Sequence, residues 1–108
     1  MSQGNVRNVV INASAASFNS TIYAVKDIGG AKVELGSVAV GATVTFGIDG
    51  LDDGEDFRVS VEASTGKSNT ATTKLTYVTN AAFEAVFNVT GNGNNPHITW
   101  VSNRRITS

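Results

Sequence analysis

Residues 38–63 read VAVGATVTFGIDGLDDGEDFRVSVEA, and this stretch decides the predicted fold. Two runs in which apolar and polar residues alternate flank a short acidic segment that contains glycine. Alternation with a period of two is typical of half-buried β-strands, and acidic, Gly-containing segments are typical of turns. The stretch therefore predicts two neighbouring strands that form a hairpin.

The second of these strands has the clearest pattern in the chain. Phe57, Val59, Val61 and Ala63 alternate there with polar residues, so they are expected to face a core. Similar short runs recur about every 10 to 12 residues between turn signals, a spacing that is typical of sandwiches and barrels. No segment has convincing helical spacing. The sequence predicts an all-β fold, a single small antiparallel β-sandwich of about seven to nine strands.

The turn inside residues 38–63 resembles the corner before the penultimate strand of fibronectin type III domains. In that family a Leu, a Gly three residues later and an aromatic residue six residues later lead into an alternating strand, and Leu51, Gly54 and Phe57 keep this spacing. Asp53 stands where the family usually has Pro, and Phe57 lacks the hydroxyl that the family's Tyr uses. The resemblance implies immunoglobulin-like or fibronectin-III-like packing and no ligand; a jelly roll is the alternative.

Composition bounds the class of protein. The chain has 108 residues, of which 41% are hydrophobic and 16% are charged, as expected for one globular domain. We expect this domain to span residues 1–108, with residues 103–108 as a polar tail. The net charge of −1 gives no long-range attraction to phosphate, so no nucleic-acid partner is expected. No apolar run approaches the roughly 20 residues of a transmembrane helix, so no transmembrane segment is expected.

The cysteine count and the N-terminus bear on the compartment. The chain has no cysteine, which excludes disulfides and Cys-ligated zinc. Its first ten residues, MSQGNVRNVV, lack the charged and then apolar pattern of a signal peptide. These features favour a cytoplasmic or a non-classically secreted protein.

Five acidic residues crowd the turn inside residues 38–63: Asp49, Asp52, Asp53, Glu55 and Asp56. Carboxylate oxygens are the ligands that Ca²⁺ prefers, so the turn is a candidate calcium site, although its spacing is not that of an EF-hand. The alternative is a solvated turn, since Asp and Gly favour chain reversal and charge protects sheet edges. The sequence predicts no other cofactor.

Residues 91–100, GNGNNPHITW, form the candidate binding segment. The side chains expected to contact a ligand are Asn92, Asn94, Asn95, His97 and Trp100. Side-chain amides both donate and accept hydrogen bonds, which suits sugar hydroxyls, and an indole has a flat apolar face for a pyranose ring or a partner surface. The alternative is a flexible loop with Trp100 in the core, on the same face as Ile98.

No catalytic pattern is recognisable in the sequence. His97 is the only histidine, and neither a G-x-S-x-G motif nor a P-loop occurs. We therefore expect a protein that is not an enzyme; a hydrolase that uses loop carboxylates is the alternative.

The function that the sequence favours is carbohydrate binding by a lectin-like β-sandwich that acts as a homo-oligomer, with a glycan or a protein as partner. The first alternative is a structural or assembly subunit of a coat, fibre or inclusion, because residues 6–11 have apolar side chains on both strand faces. The second is a membrane-active β-sandwich protein.

Overall fold

The computed structural model describes residues 2–106, which contain strands and turns but no helix. The strands are β1 (Asn5–Val6), β2 (Asn8–Ala16), β3 (Ser20–Lys26), β4 (Lys32–Val38), β5 (Thr43–Gly47), β6 (Asp56–Ala63), β7 (Ser68–Thr70), β8 (Leu75–Tyr77), β9 (Phe83–Asn92) and β10 (Asn95–Arg105). The all-β prediction is confirmed. The ten strands exceed the expected seven to nine because β1, β7 and β8 are only two or three residues long. A helix with the length and apolar character to cross a membrane is absent from residues 2–106.

Two sheets pack as a sandwich. The six-stranded sheet has the order β1-β8-β6-β3-β4, with β7 also paired to β6, and the four-stranded sheet has the order β10-β9-β2-β5. The expectation of purely antiparallel pairing is wrong at two places, because β1 pairs with β8 and β2 pairs with β9 in parallel. Parallel neighbours need a long crossover connection, and between β2 and β9 the chain supplies it by passing through the other sheet.

The core lies between the sheets. On β6 the side chains of Phe57, Val59 and Val61 have no exposed surface, as the alternation predicted, and on β9 the same holds for Phe87 and Val89. These residues belong to one contiguous hydrophobic cluster, which contains side chains from both sheets. Full burial of such side chains contributes about 1.5–3 kcal/mol each, so this cluster is the main source of stability.

The hairpin predicted over residues 38–63 does not form. β5 pairs with β2 in the four-stranded sheet, whereas β6 pairs with β3 in the six-stranded sheet, so the acidic segment crosses from one sheet to the other. Leu51 is only 8% exposed and anchors this crossing to the core, and Gly54 adopts a φ of 90°, which favours glycine. Alternation identifies a strand and its buried face, but it does not identify the strand's partner.

The predicted polar tail is partly wrong. Residues 103–105 belong to β10, and the Ile106 N–H donates to the Ala82 carbonyl at 2.8 Å. An edge strand needs apolar side chains only on its core face, so a polar sequence can complete it; Arg104 donates to the carboxylate of Glu84 at 2.7 Å. Thr107 and Ser108, the rest of the expected tail, lie outside the described residues.

Candidate functional site

Of the five predicted ligand-binding residues, the three asparagines lie at the tip of a hairpin, and the other two lie further along β10. Asn92 pairs with Asn95 and closes the β9–β10 hairpin, so the three asparagines lie at one tip with their side chains exposed. His97 follows on β10, exposed and opposite Thr90. Trp100 lies further along the same strand and faces the core side of the sheet.

The hairpin tip is a tight turn held by local hydrogen bonds. The Asn94 N–H donates to Asn92 Oδ1 at 3.0 Å, an Asx-type bond that favours reversal. The Thr65 hydroxyl donates to the Gly93 carbonyl and ties the tip to the turn that follows β6. Asn92 therefore uses its acceptor oxygen to build the turn, which reduces what it offers a ligand.

Trp100 forms one wall of an open cleft. Its side chain is half-buried and packs against the core, while its role in binding a ligand stays a prediction. The cleft has a volume of about 390 Å³ and is lined by Gln3, Arg58, Thr72, Thr73, Lys74 and Trp100. Sequence reasoning singled out only Trp100 among these side chains.

The cleft lies between the connection from β7 to β8 and the part of β10 that carries Trp100. Residues 71–74 connect β7 to β8 and run beside the free edge of β10. Ala71 is buried and its N–H donates to the Val59 carbonyl at 2.9 Å, while Leu75 is fully buried, so the polar residues between them are held at the surface. These residues form a polar run, Thr72-Thr73-Lys74, inside an otherwise strand-like segment. That run is the sequence signal that could have identified this side of the cleft.

The indole of Trp100 is held in one orientation. Its Nε1 donates to Asn103 Oδ1 at 3.0 Å, and Asn103 Nδ2 donates to the Gln3 carbonyl at 3.1 Å. The ring is thus held in place, an arrangement that would lower the entropic cost of binding a ligand at this position.

Two cations and two carboxylates form a network beside the cleft. Arg58 Nη1 lies 2.7 Å from Asp27 Oδ1, and Arg58 Nε donates to the Thr72 carbonyl at 3.3 Å. Lys74 Nζ lies 3.7 Å from Asp27 Oδ2 and 4.0 Å from Asp56 Oδ2. The network is balanced in charge, but only its cations line the cleft.

The acidic turn uses its carboxylates to hold the chain crossing. Asp53 Oδ1 accepts from the Thr79 N–H at 2.8 Å, Glu55 Oε1 accepts from the Asp52 N–H at 2.7 Å, and Asp56 Oδ1 accepts from the Thr76 hydroxyl at 2.6 Å. The side chain of Asp49 is exposed. In the part of the chain that the structure describes, no three His, Cys, Asp or Glu residues are grouped so that they could hold a metal ion. Asp53, Glu55 and Asp56 therefore serve the corner, and a calcium site at this turn stays a prediction.

Comparison with known proteins shows no matching family model and no significant similarity to a curated protein or a solved structure. The fibronectin type III resemblance therefore stays a likeness of one corner, at Leu51, Gly54 and Phe57.

Proposed function

We propose that this protein is a non-enzymatic binding module whose ligand is a carbohydrate, bound in the Trp100 cleft. The observation that carries the proposal is the fixed, half-buried indole, which stands beside hydroxyl and amide groups in an open cleft. A pyranose ring has an apolar face that packs on an aromatic ring, and its hydroxyls need donors and acceptors around the edge.

The dimensions of the cleft agree with a small ligand. Its volume of about 390 Å³ lies within the range of roughly 300–1,000 Å³ that is typical of small-molecule sites. Thr72, Thr73 and Gln3 offer groups that both donate and accept hydrogen bonds, which suits a polyhydroxylated ligand.

The lining favours binding over catalysis. Among residues 2–106 the side chains that line this cleft include no carboxylate and no imidazole. Glycoside hydrolysis ordinarily needs two carboxyl groups across the bond that is cleaved, and a hydrolytic triad needs an oriented base. Recognition without turnover is the function that these groups suit.

We extend the proposal to a homo-oligomer. A single open cleft gives a modest affinity for a sugar, and several copies on one particle raise the avidity for a multivalent glycan without any new contact. A protein partner that presents such a glycan is bound in the same way.

A glycan array followed by calorimetry tests the proposal. Trp100→Ala should lower affinity for any hit at least about 10-fold, because the stacking surface is lost, while Trp100→Phe should keep part of it. Phe83→Ala is the matched control, since Phe83 is a 40% exposed aromatic residue that does not line the cleft. An array without hits on folded protein, or full binding by Trp100→Ala, would contradict the proposal.

One observation favours the structural or assembly subunit as a second candidate. β10 is eleven residues long and lies at the edge of its sheet, and Val101 on it is 49% exposed. A long edge strand is a template for pairing with another chain. Light scattering at high concentration tests this candidate, and a clean monomer would exclude it.

A further inference from the structure

We infer that the sugar bound in the Trp100 cleft carries an acidic group, which contacts the ammonium of Lys74 and the guanidinium of Arg58 while the ring packs on Trp100. This inference rests on the proposed function and names the class of sugar. Its basis is the hydrogen-bonding state of the two cations.

Lys74 has unused hydrogen-bond donors at a mostly buried position. Its side chain is 21% exposed, and the nearest carboxylate oxygens lie 3.7 and 4.0 Å from Nζ, both beyond hydrogen-bond distance. Within residues 2–106 the ammonium donates to no protein acceptor at hydrogen-bond distance. The ammonium lines the open cleft, so an anionic acceptor there can receive a charge-assisted hydrogen bond from it.

Arg58 offers a second donor at the same wall. Its Nε and Nη1 are occupied by the Thr72 carbonyl and by Asp27, which fix the plane of the guanidinium. Nη2 makes no hydrogen bond to any group in residues 2–106, and Arg58 lines the cleft with Lys74. Two cationic donors that line one cleft are an arrangement suited to a carboxylate or a sulfate.

The carboxylates of the network do not oppose an anionic ligand at the wall. Asp27 and Asp56 lie outside the lining of the cleft, and Asp56 instead lines a separate surface cavity with Asp53 and Glu55. An acidic group in the cleft therefore contacts the two cations, whereas Asp27 and Asp56 do not line the cleft.

Calorimetry with three matched probes tests the inference: a disaccharide ending in glucuronic acid, its glucose-ending counterpart, and the same neutral sugar carrying a 6-sulfate. We expect at least one acidic probe to bind about 10-fold more tightly than the neutral one, with an advantage that shrinks as salt is raised. Comparing the uronate with the sulfate distinguishes the two sources of the acidic group.

Lys74→Met removes the charge and keeps the aliphatic stem. It should lower affinity for the acidic probe more than affinity for the neutral probe, because only the acidic probe loses a charge-assisted contact while Arg58 and the indole remain. Lys67→Met, at an exposed turn away from the cleft, is the control.

Equal affinity of neutral and acidic probes, or a preference that is undiminished in Lys74→Met, would overturn the inference and leave carbohydrate binding standing. Failure of every probe and of the glycan array would overturn both. If Lys74→Met does not fold, the salt dependence of the native protein's preference decides the matter, since a salt-independent preference is incompatible with recognition by these cations.

Discussion

Trp100 and Asn103 are three residues apart on β10, yet their side chains lie on the same face and share a 3.0 Å hydrogen bond from Trp100 Nε1 to Asn103 Oδ1. In a regular strand residues three apart point to opposite faces. The pairing explains the difference: Trp100 lies opposite Phe87 and Ser102 lies opposite Val86, so Val101 is an extra residue in a β-bulge. The bulge brings the amide under the indole and so helps to build the cleft.

The hydrogen bond between these residues can be tested through fluorescence, because Trp100 is the only tryptophan. Asn103→Ala leaves Nε1 without its partner, so the free energy of unfolding should fall by about 1–2 kcal/mol. The emission of Trp100 should shift to the red and become more open to acrylamide quenching. Asn88→Ala, at an exposed position on the neighbouring strand, should change neither quantity. Unchanged emission in Asn103→Ala would contradict the fixed orientation of the ring.

The bulge predicts different outcomes for two single-residue deletions. Removing Val101 leaves a regular strand in which Ser102 and Asn103 keep their partners on β9, so stability should fall by only about 1 kcal/mol and Trp100 should stay half-buried. Removing Thr99 shifts Trp100 to the outer face and puts Val101 opposite Phe87. Urea unfolding should show the larger loss for this second deletion, with a red-shifted emission. Equal behaviour of the two deletions would argue against a bulge at Val101.

Gly36 should be intolerant of a side chain. Its φ is 153°, and a Cβ there would overlap the ring of Phe46, which comes from the opposite sheet. Gly36→Ala should lower the free energy of unfolding by about 2–3 kcal/mol, since backbone strain adds to overpacking. Gly47→Ala is the matched control, because its Cβ would have no neighbour nearer than Asn8 Oδ1 at 3.9 Å. The control should stay within about 0.5 kcal/mol in denaturant unfolding.

We expect the hydroxyl of Tyr23 to lose its proton at a higher pH than an ordinary tyrosine does. Its hydroxyl donates to Glu62 Oε1 at 3.0 Å, and this hydrogen bond, followed by desolvation and by the negative charges of Glu62 and Glu34, raises the pKa of Tyr23 above its ordinary value. Because the folded state holds this proton more tightly than the unfolded chain, the contribution to stability is present below about pH 10 and is lost as pH rises through the raised pKa.

Absorbance of tyrosinate as a function of pH measures this pKa. The chain has two tyrosines, so Tyr23→Phe assigns the remaining transition to Tyr77. Glu62→Gln removes the charge and should lower the pKa of Tyr23. A Tyr23 transition that does not move in Glu62→Gln would show that the contact with Glu62 does not set its pKa.

Much of the buried surface was predictable from local pattern. Phe57, Val59 and Val61 on β6 are all fully buried, as alternation indicated. The prediction of buried residues succeeds because side chains on a strand point alternately to opposite faces, whichever strand lies beside it. The pairing itself was less predictable, as β5 and β6 show by joining different sheets across the acidic segment.

The candidate site was only partly predictable for the same reason. Trp100 was identified from residue type, but Gln3, Arg58 and Thr72–Lys74 reach the same cleft from distant parts of the chain. The hairpin asparagines are close to Trp100 in the sequence. They lie apart from it in space because the extended strand β10 separates the hairpin tip from Trp100.

By itself, the sequence determined the all-β class and the buried face of the main strands, because these depend on period-two alternation. Only the tertiary structure decided the two parallel pairings, the crossing of residues 48–55 between sheets, the bulge at Val101 and the cleft around Trp100. Those features arise from contacts between residues that are distant along the chain, and local periodicity carries no information about which distant strands meet.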